Sequence, residues 1–247
     1  MASDPVFFEL SWSILSTIGA ANVFFGLLVI SVTNFSPIAA VPLVTSTACA
    51  VANGLCYYAF YLTYPPAVNR AVASAFADML WLVQEAGLSF YGYVILIRIL
   101  CNTRKRYVFM ALFWVLMVAI AVVRIAIAAT RVRYITGGDS NSRLQHTVNH
   151  LHVAYFVLIA VVECVGAYYL LTTFAKAKKN SLKRAIKTGL FQYLMRSTEV
   201  RLALLAIVGT MRAVTYSFQA SAQSATSVSG QIDRFCYTME CLFPMIL

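Results

Sequence analysis

Charge is what this chain has least of. Only 11% of its 247 residues are Asp, Glu, Lys or Arg, less than half the roughly 25% of an ordinary soluble domain. Acids are scarcer than bases, nine against nineteen. No Gly-rich phosphate loop, nucleophile elbow or carboxylate-rich metal motif occurs, so kinase, hydrolase and nucleotide-driven readings lose their usual support. The six cysteines, Cys49, Cys56, Cys101, Cys164, Cys236 and Cys241, follow neither metal nor disulfide spacing and read as small apolar packing residues. No Lys or Arg precedes the first apolar run. A cleaved signal peptide wants a positive start, so that run reads as a retained first helix. The net charge of +10 is not gathered into a long basic run apart from the apolar segments. Its natural partner is an anionic membrane leaflet rather than nucleic acid.

What the chain has in excess is apolar surface, 61% of residues with a mean hydropathy of +0.77. Seven apolar segments can be drawn, at 12–32, 38–62, 72–100, 108–130, 151–174, from 189 or 198 to 218, and 232–247. Each of the first six reaches the roughly 20 residues that span a bilayer; the last is short and reads as a tilted or partial span. The fold class expected is all-α, a polytopic bundle of seven transmembrane helices in one domain, residues 1–247. Twelve of the nineteen basic residues flank the third and fifth connections. By the positive-inside rule those loops are cytosolic and the N-terminus luminal, in a membrane such as the endoplasmic reticulum. No internal repeat supports an inverted-repeat transporter.

Ionisable residues inside such segments are costly and usually face the bundle interior. Asp78 and Glu85 lie seven residues apart, on one face of the third segment. Counted from helix ends, Asp78, Arg124 and Arg212 share a depth of about 9 Å from the luminal side, and pairing is the simplest account of them. The other account is that the two arginines hold an anionic head group or phosphate. Glu85 lies deeper, with Glu163 near its level, and no Lys or Arg is expected at that depth. A carboxyl left in an apolar site tends to stay protonated. It then serves either as a general acid or as a hydrogen bond between helices.

Aromatic residues crowd this region. Tyr57, Tyr58, Phe60, Tyr61 and Tyr64 end the second segment, and Trp81, Phe90, Tyr91 and Tyr93 follow on the third. Their faces stabilise cations, although Tyr and Trp at span ends also form the ordinary interfacial belt. His146 and His150, at i,i+4, offer only a partial metal-ligand set, with His152 pointing away from them, and the three read as solvated interfacial histidines. Arg196, Glu199 and Arg201 read as interfacial pairing.

The stretch VPLVTSTACAVANGLCYYAFYLTYPP, followed by ADMLWLVQEAGLSFYGYVIL, resembles the fungal membrane-bound terpene cyclases of meroterpenoid and indole-diterpene pathways. Those are small seven-helix proteins whose second helix ends in a comparable aromatic YPP stretch. The resemblance implies protonation-initiated carbocation cyclisation of a prenylated, sometimes epoxidised, lipophilic substrate, without metal or cofactor. One departure stands out. The family's catalytic Glu, expected on the second helix before YPP, has no counterpart, since residues 54–64 contain no carboxylate. On this reading Glu85 is the proton donor and Asp78 a second acid or its orienting partner. Trp81, Tyr57, Tyr61 and Tyr91 then line the substrate site, together with Glu163, Arg124 and Arg212. The C-terminal stretches MRAVTYSFQ and DRFCYTMECLFPMIL are similar in rhythm to fungal seven-helix receptor-like and lipid-exporter-like proteins. That similarity implies a receptor-like or lipid-handling alternative. Membrane lipids are expected around either, and no protein partner can be inferred.

Overall fold

The computed structural model describes residues 11–33, 35–62, 65–100, 102–137, 142–183, 189–218 and 227–245; side chains of 142, 177–183, 189–199 and 202 are outside the description. Among the described residues seven helices follow in order: α1 Ser11–Val32, α2 Pro37–Tyr61, α3 Ala67–Ile99, α4 Thr103–Thr136, α5 Ser142–Lys183, α6 Gly189–Ser217 and α7 Val228–Leu242, with a 3-10 turn at Phe243–Met245. No strand occurs among the described residues. The fold is all-α, as apolar chains that must satisfy every backbone group internally require.

Local chemistry sets the helix starts. Ser36 caps α2 by accepting from Ala39 N at 3.2 Å, with Pro37 in the first turn. Asn102 caps α4 through Lys105 N, and Ser227 caps α7 through Gly230 N. Pro66 stands at the start of α3, so the two prolines of the YPP stretch separate α2 from α3.

Helices α1 to α5 carry runs long and apolar enough to cross a membrane, and α6 has a shorter apolar stretch at Ala203–Ser217. Large apolar side chains such as Phe24, Leu28, Val115 and Val118 point outward, as expected of a surface that meets lipid tails. Helix α7 is amphipathic in the opposite sense to a soluble helix. Asp233, Tyr237 and Glu240 are buried, while Ile232 and Phe235 are exposed. At 15 residues it is about 22 Å long, short of a hydrocarbon core of about 30 Å.

The helices extend past the apolar runs that predict them. Hydrogen bonding continues an α-helix beyond the hydrophobic edge, so α4 runs on through Arg131 and Arg133. Arg131, one residue past the 108–130 segment drawn from the sequence, is therefore a buried helical residue. Two apolar clusters frame the interior. One joins α3, α4 and α5 around Tyr91, Phe109, Phe113 and Phe156. The other joins α1, α2, α3 and α7 around Trp12, Cys49, Cys56, Trp81 and Tyr237. Cys49, Cys56, Cys236 and Cys241 are buried free thiols and Cys164 is exposed. Cys101, Tyr64 and the side chains of Arg196 and Glu199 lie outside the described residues.

Candidate functional site

Between the two clusters lies a buried ionic network built from four helices. On α3, Asp78, Trp81 and Glu85 fall at i, i+3 and i+7, one inward stripe. Arg124 and Arg131 stand at i and i+7 on α4, and Asp233, Tyr237 and Glu240 at i, i+4 and i+7 on α7. Helix α6 contributes Arg212.

Arg131 Nη1 donates to Asp78 Oδ1 at 2.8 Å. Arg124 reaches the same oxygen at 3.3 Å, donates from Nε to the Asp78 carbonyl at 3.0 Å, and lies 3.7 Å from Glu85 Oε2. Arg212 holds Glu85 Oε1 at 2.9 Å and Glu240 Oε2 at 2.5 Å through one nitrogen, Nη1. Its Nε stands 3.6 Å from Asp233 Oδ1, an ion-pair contact longer than a hydrogen bond. Arg234 is buried with the guanidinium 3.7 Å from the Trp12 ring centroid. Four carboxylates thus face four guanidiniums in the interior, and the formal charge cancels, which is what permits so many ions away from water.

His152 completes one edge. Its Nε2 lies 3.0 Å from Arg131 Nη2 and its Nδ1 lies 2.8 Å from the Val148 carbonyl. An arginine only donates, so Nε2 accepts and Nδ1 carries the proton. The ring is neutral and stacks on Tyr216 at 5.4 Å. His146 and His150 are exposed and contact each other edge to face at 4.4 Å. Among the described residues no group of three or more His, Cys, Asp or Glu could hold a metal ion.

Rings surround the ions. Arg124 lies over Trp81 and Tyr155, and Arg212 over Phe156 and Tyr237, at 4.2–5.2 Å from the centroids. A second polar chain runs beside them. Trp81 Nε1 donates to Tyr237 Oη at 2.8 Å, and that hydroxyl is 3.0 Å from both Asn53 Oδ1 and Gln84 Oε1. At the centre is a cavity of about 30 Å³ lined by Trp12, Trp81, Glu85, Arg124, Arg131, His152, Phe156, Arg212, Tyr216, Asp233, Arg234 and Tyr237. It has room for about one or two waters.

The sequence-predicted residues divide accordingly. Glu85, Asp78, Trp81, Arg124 and Arg212 meet in the network. Tyr57 and Tyr61 stack at 6.0 Å on its α2 edge, where Tyr61 accepts from Trp12 Nε1 at 3.0 Å. Tyr91 packs in the α3–α4–α5 cluster instead. Glu163 is buried against Gly209 of α6 and borders a separate small cavity with Phe109 and Phe113; its Oε2 has no hydrogen-bond partner.

Two expectations are corrected. Glu85 has cations at its level, Arg212 and Arg124, and Arg212 pairs with Glu85 and Glu240 rather than Asp78. Counting rise along a helix locates Cα atoms, whereas an arginine side chain reaches more than a turn from its own Cα. His152, read as solvated, is buried because it serves Arg131. Sequence reasoning missed Arg131, His152, Asp233, Arg234 and Glu240. The i, i+7 spacing of Arg124 with Arg131, and the i, i+4, i+7 spacing on α7, were the available signals. Compared with known protein families, curated proteins and solved structures, the chain matches none.

Proposed function

We propose that this protein is a membrane-bound cyclase that protonates a prenylated, in some cases epoxidised, lipophilic substrate and guides the resulting carbocation to a ring. The observation that carries this reading is the central cavity, where the carboxyls of Glu85 and Asp233 share walls with Trp12, Trp81, Phe156, Tyr216 and Tyr237. The YPP stretch at the end of α2 supports it through its resemblance to fungal membrane-bound terpene cyclases. Where that family places an acid on the second helix, this chain draws its cavity acids from α3 and α7.

Asp78 does not border the cavity and is held by Arg131 and Arg124, so it positions those arginines. Glu85 borders it as a carboxylate anchored by Arg212. Asp233 borders the cavity with its Oδ1 3.6 Å from Arg212 Nε, and is the proton donor in this proposal. In this proposal Asp233 gives its proton to the epoxide oxygen or alkene carbon, and the carboxylate that remains faces Arg212. A proton returns when the final cation eliminates, so the reaction is an isomerisation without cofactor. The cavity is too small for a prenyl chain as it stands. Substrate arrives from the bilayer, and the rings that line the cavity stabilise the cation. In this proposal α6 and α7 complete seven spans, with a luminal N-terminus, in the endoplasmic reticulum.

The test is turnover in microsomes supplied with farnesylated or epoxidised prenyl substrates, read as a product of unchanged mass and new retention. Asp233→Asn is expected to lower turnover by about 10²–10⁴-fold, and Glu85→Gln to lower it by loss of the Arg212 anchor. Full activity in Asp233→Asn would remove it as donor. No turnover of any prenyl substrate by the unaltered chain would sink the cyclase reading in favour of a receptor-like or lipid-handling protein.

A further inference from the structure

A second feature lies on the outer surface, on a different face of α3 from the ionic network. A groove of about 540 Å³ runs between α2, α3 and α4, lined by residues that include Ala40, Thr45, Gly87, Phe90, Trp114 and Ala121. Its volume falls within the roughly 300–1,000 Å³ of ordinary ligand sites. Thr45 is the single polar residue apart from the indole of Trp114, whose N–H already donates to Tyr93 Oη at 3.2 Å. Nothing in it recognises a polar ligand, but an alkyl chain fits its chemistry.

The groove extends towards the end of the bundle where α2 begins and α3 stops, with Ala40 and Val94 as its residues nearest that end. That end is basic. Arg98 lies one helical turn beyond the groove residue Val94 on α3. On α4 the stripe from Ala121 through Trp114 continues two turns to Tyr107, with the Arg106 guanidinium 5.9 Å from the Tyr107 ring centroid. Arg104 and Arg98 are exposed. Between Glu85 and Asp139 the chain contains no acid, so no neighbour in this segment neutralises these cations. An apolar slot with arginines beyond its end complements a molecule with a long tail and an anionic head.

We infer that this groove is a binding site for an anionic glycerophospholipid, with one acyl chain along Thr45, Phe90 and Trp114 and the phosphate held by Arg98, Arg104 and Arg106. The site is independent of the cyclase reading. It gives the protein a preference for lipid headgroup on one membrane face.

The chain supplies its own reporter. Trp12 and Trp81 are 4% and 5% exposed, whereas Trp114 is 50% exposed and lines the groove. The full chain is reconstituted in phosphatidylcholine vesicles containing rising fractions of phosphatidylglycerol or phosphatidylcholine brominated in the acyl chain. Tryptophan quenching is measured, with Trp114→Phe subtracted as background. Brominated phosphatidylglycerol is expected to quench Trp114 with about fivefold or more higher relative affinity than brominated phosphatidylcholine. The combined change Arg98→Gln, Arg104→Gln, Arg106→Gln, on exposed or half-exposed positions, is expected to abolish that preference. Ala121→Phe should reduce quenching by both lipids. Equal quenching by the two lipids in the unaltered chain would overturn the inference, since any lipid-facing groove gives that result. A preference that survives the triple change would overturn the arginine assignment. Quenching by neither lipid would mean that another helix or a second copy covers the groove, and would overturn it as well.

Discussion

At the scale of single residues, the network shows why buried charge is tolerable only as a set. Asp78 is fully buried and contacts two guanidiniums. Asp78→Asn keeps its shape and deletes its charge, leaving Arg131 and Arg124 short of an acid. The expected cost is about 3–5 kcal/mol, read as a lowered midpoint of thermal unfolding in detergent micelles. Adding Arg131→Met should recover part of that loss, a coupling that a double-mutant cycle isolates. Independent effects of the two changes would refute the pairing. Tyr237→Phe tests the neighbouring chain of polar groups. It removes the hydroxyl that accepts from Trp81 Nε1 and reaches Asn53 and Gln84. Because those groups are buried, the expected destabilisation is about 1–3 kcal/mol. Pairing of Asp78 with Arg124 was foreseeable from their shared depth; the cations on Glu85 and the contact of Arg131 with Asp78 were not. For Arg131, Asp233 and Glu240 the only signal in the sequence is their helical spacing to Arg124 and to one another, which does not name their partners.

At the scale of elements, close helix approach depends on particular small residues. A Cβ at Gly19 of α1 would lie 2.6 Å from the backbone nitrogen of Ala50 on α2, a contact only backbone movement can relieve. Gly19→Ala is expected to force α1 away from α2 and loosen the Trp12 side of the cavity. Gly166 of α5 has nothing within 4 Å of the corresponding position. There the same change should be neutral or stabilising by up to about 1 kcal/mol, the helix-propensity difference. Thermal unfolding of the two variants in parallel checks the contrast, and equal behaviour would show that α1 does not rest on Gly19. Helix positions were readable from the apolar runs, since lipid leaves the backbone no alternative. Helix ends were less so, because α4 and α5 continue through polar residues once hydrogen bonding is established.

At the scale of the whole molecule, the bundle binds its shortest helix through charge. Helix α7 meets α6 and α1 with Asp233 and Glu240 facing Arg212, and Arg234 over Trp12. If α6 and α7 complete seven spans as proposed, the segments 184–188 and 219–226 lie on opposite sides of the membrane. A glycosylation acceptor inserted at 219–226 should then be modified in microsomes, and one at 184–188 should not; modification of both, or of only the latter, would refute the topology. Hydropathy was sufficient to read a helical, multi-pass membrane protein from residue order, because burial in lipid acts on each segment separately. Which ions meet was decided only by the tertiary structure. Asp78 finds Arg131 from 53 positions away and Arg212 finds Glu85 from 127, and such pairings depend on helix rotation and side-chain reach, which one helix's periodicity does not encode.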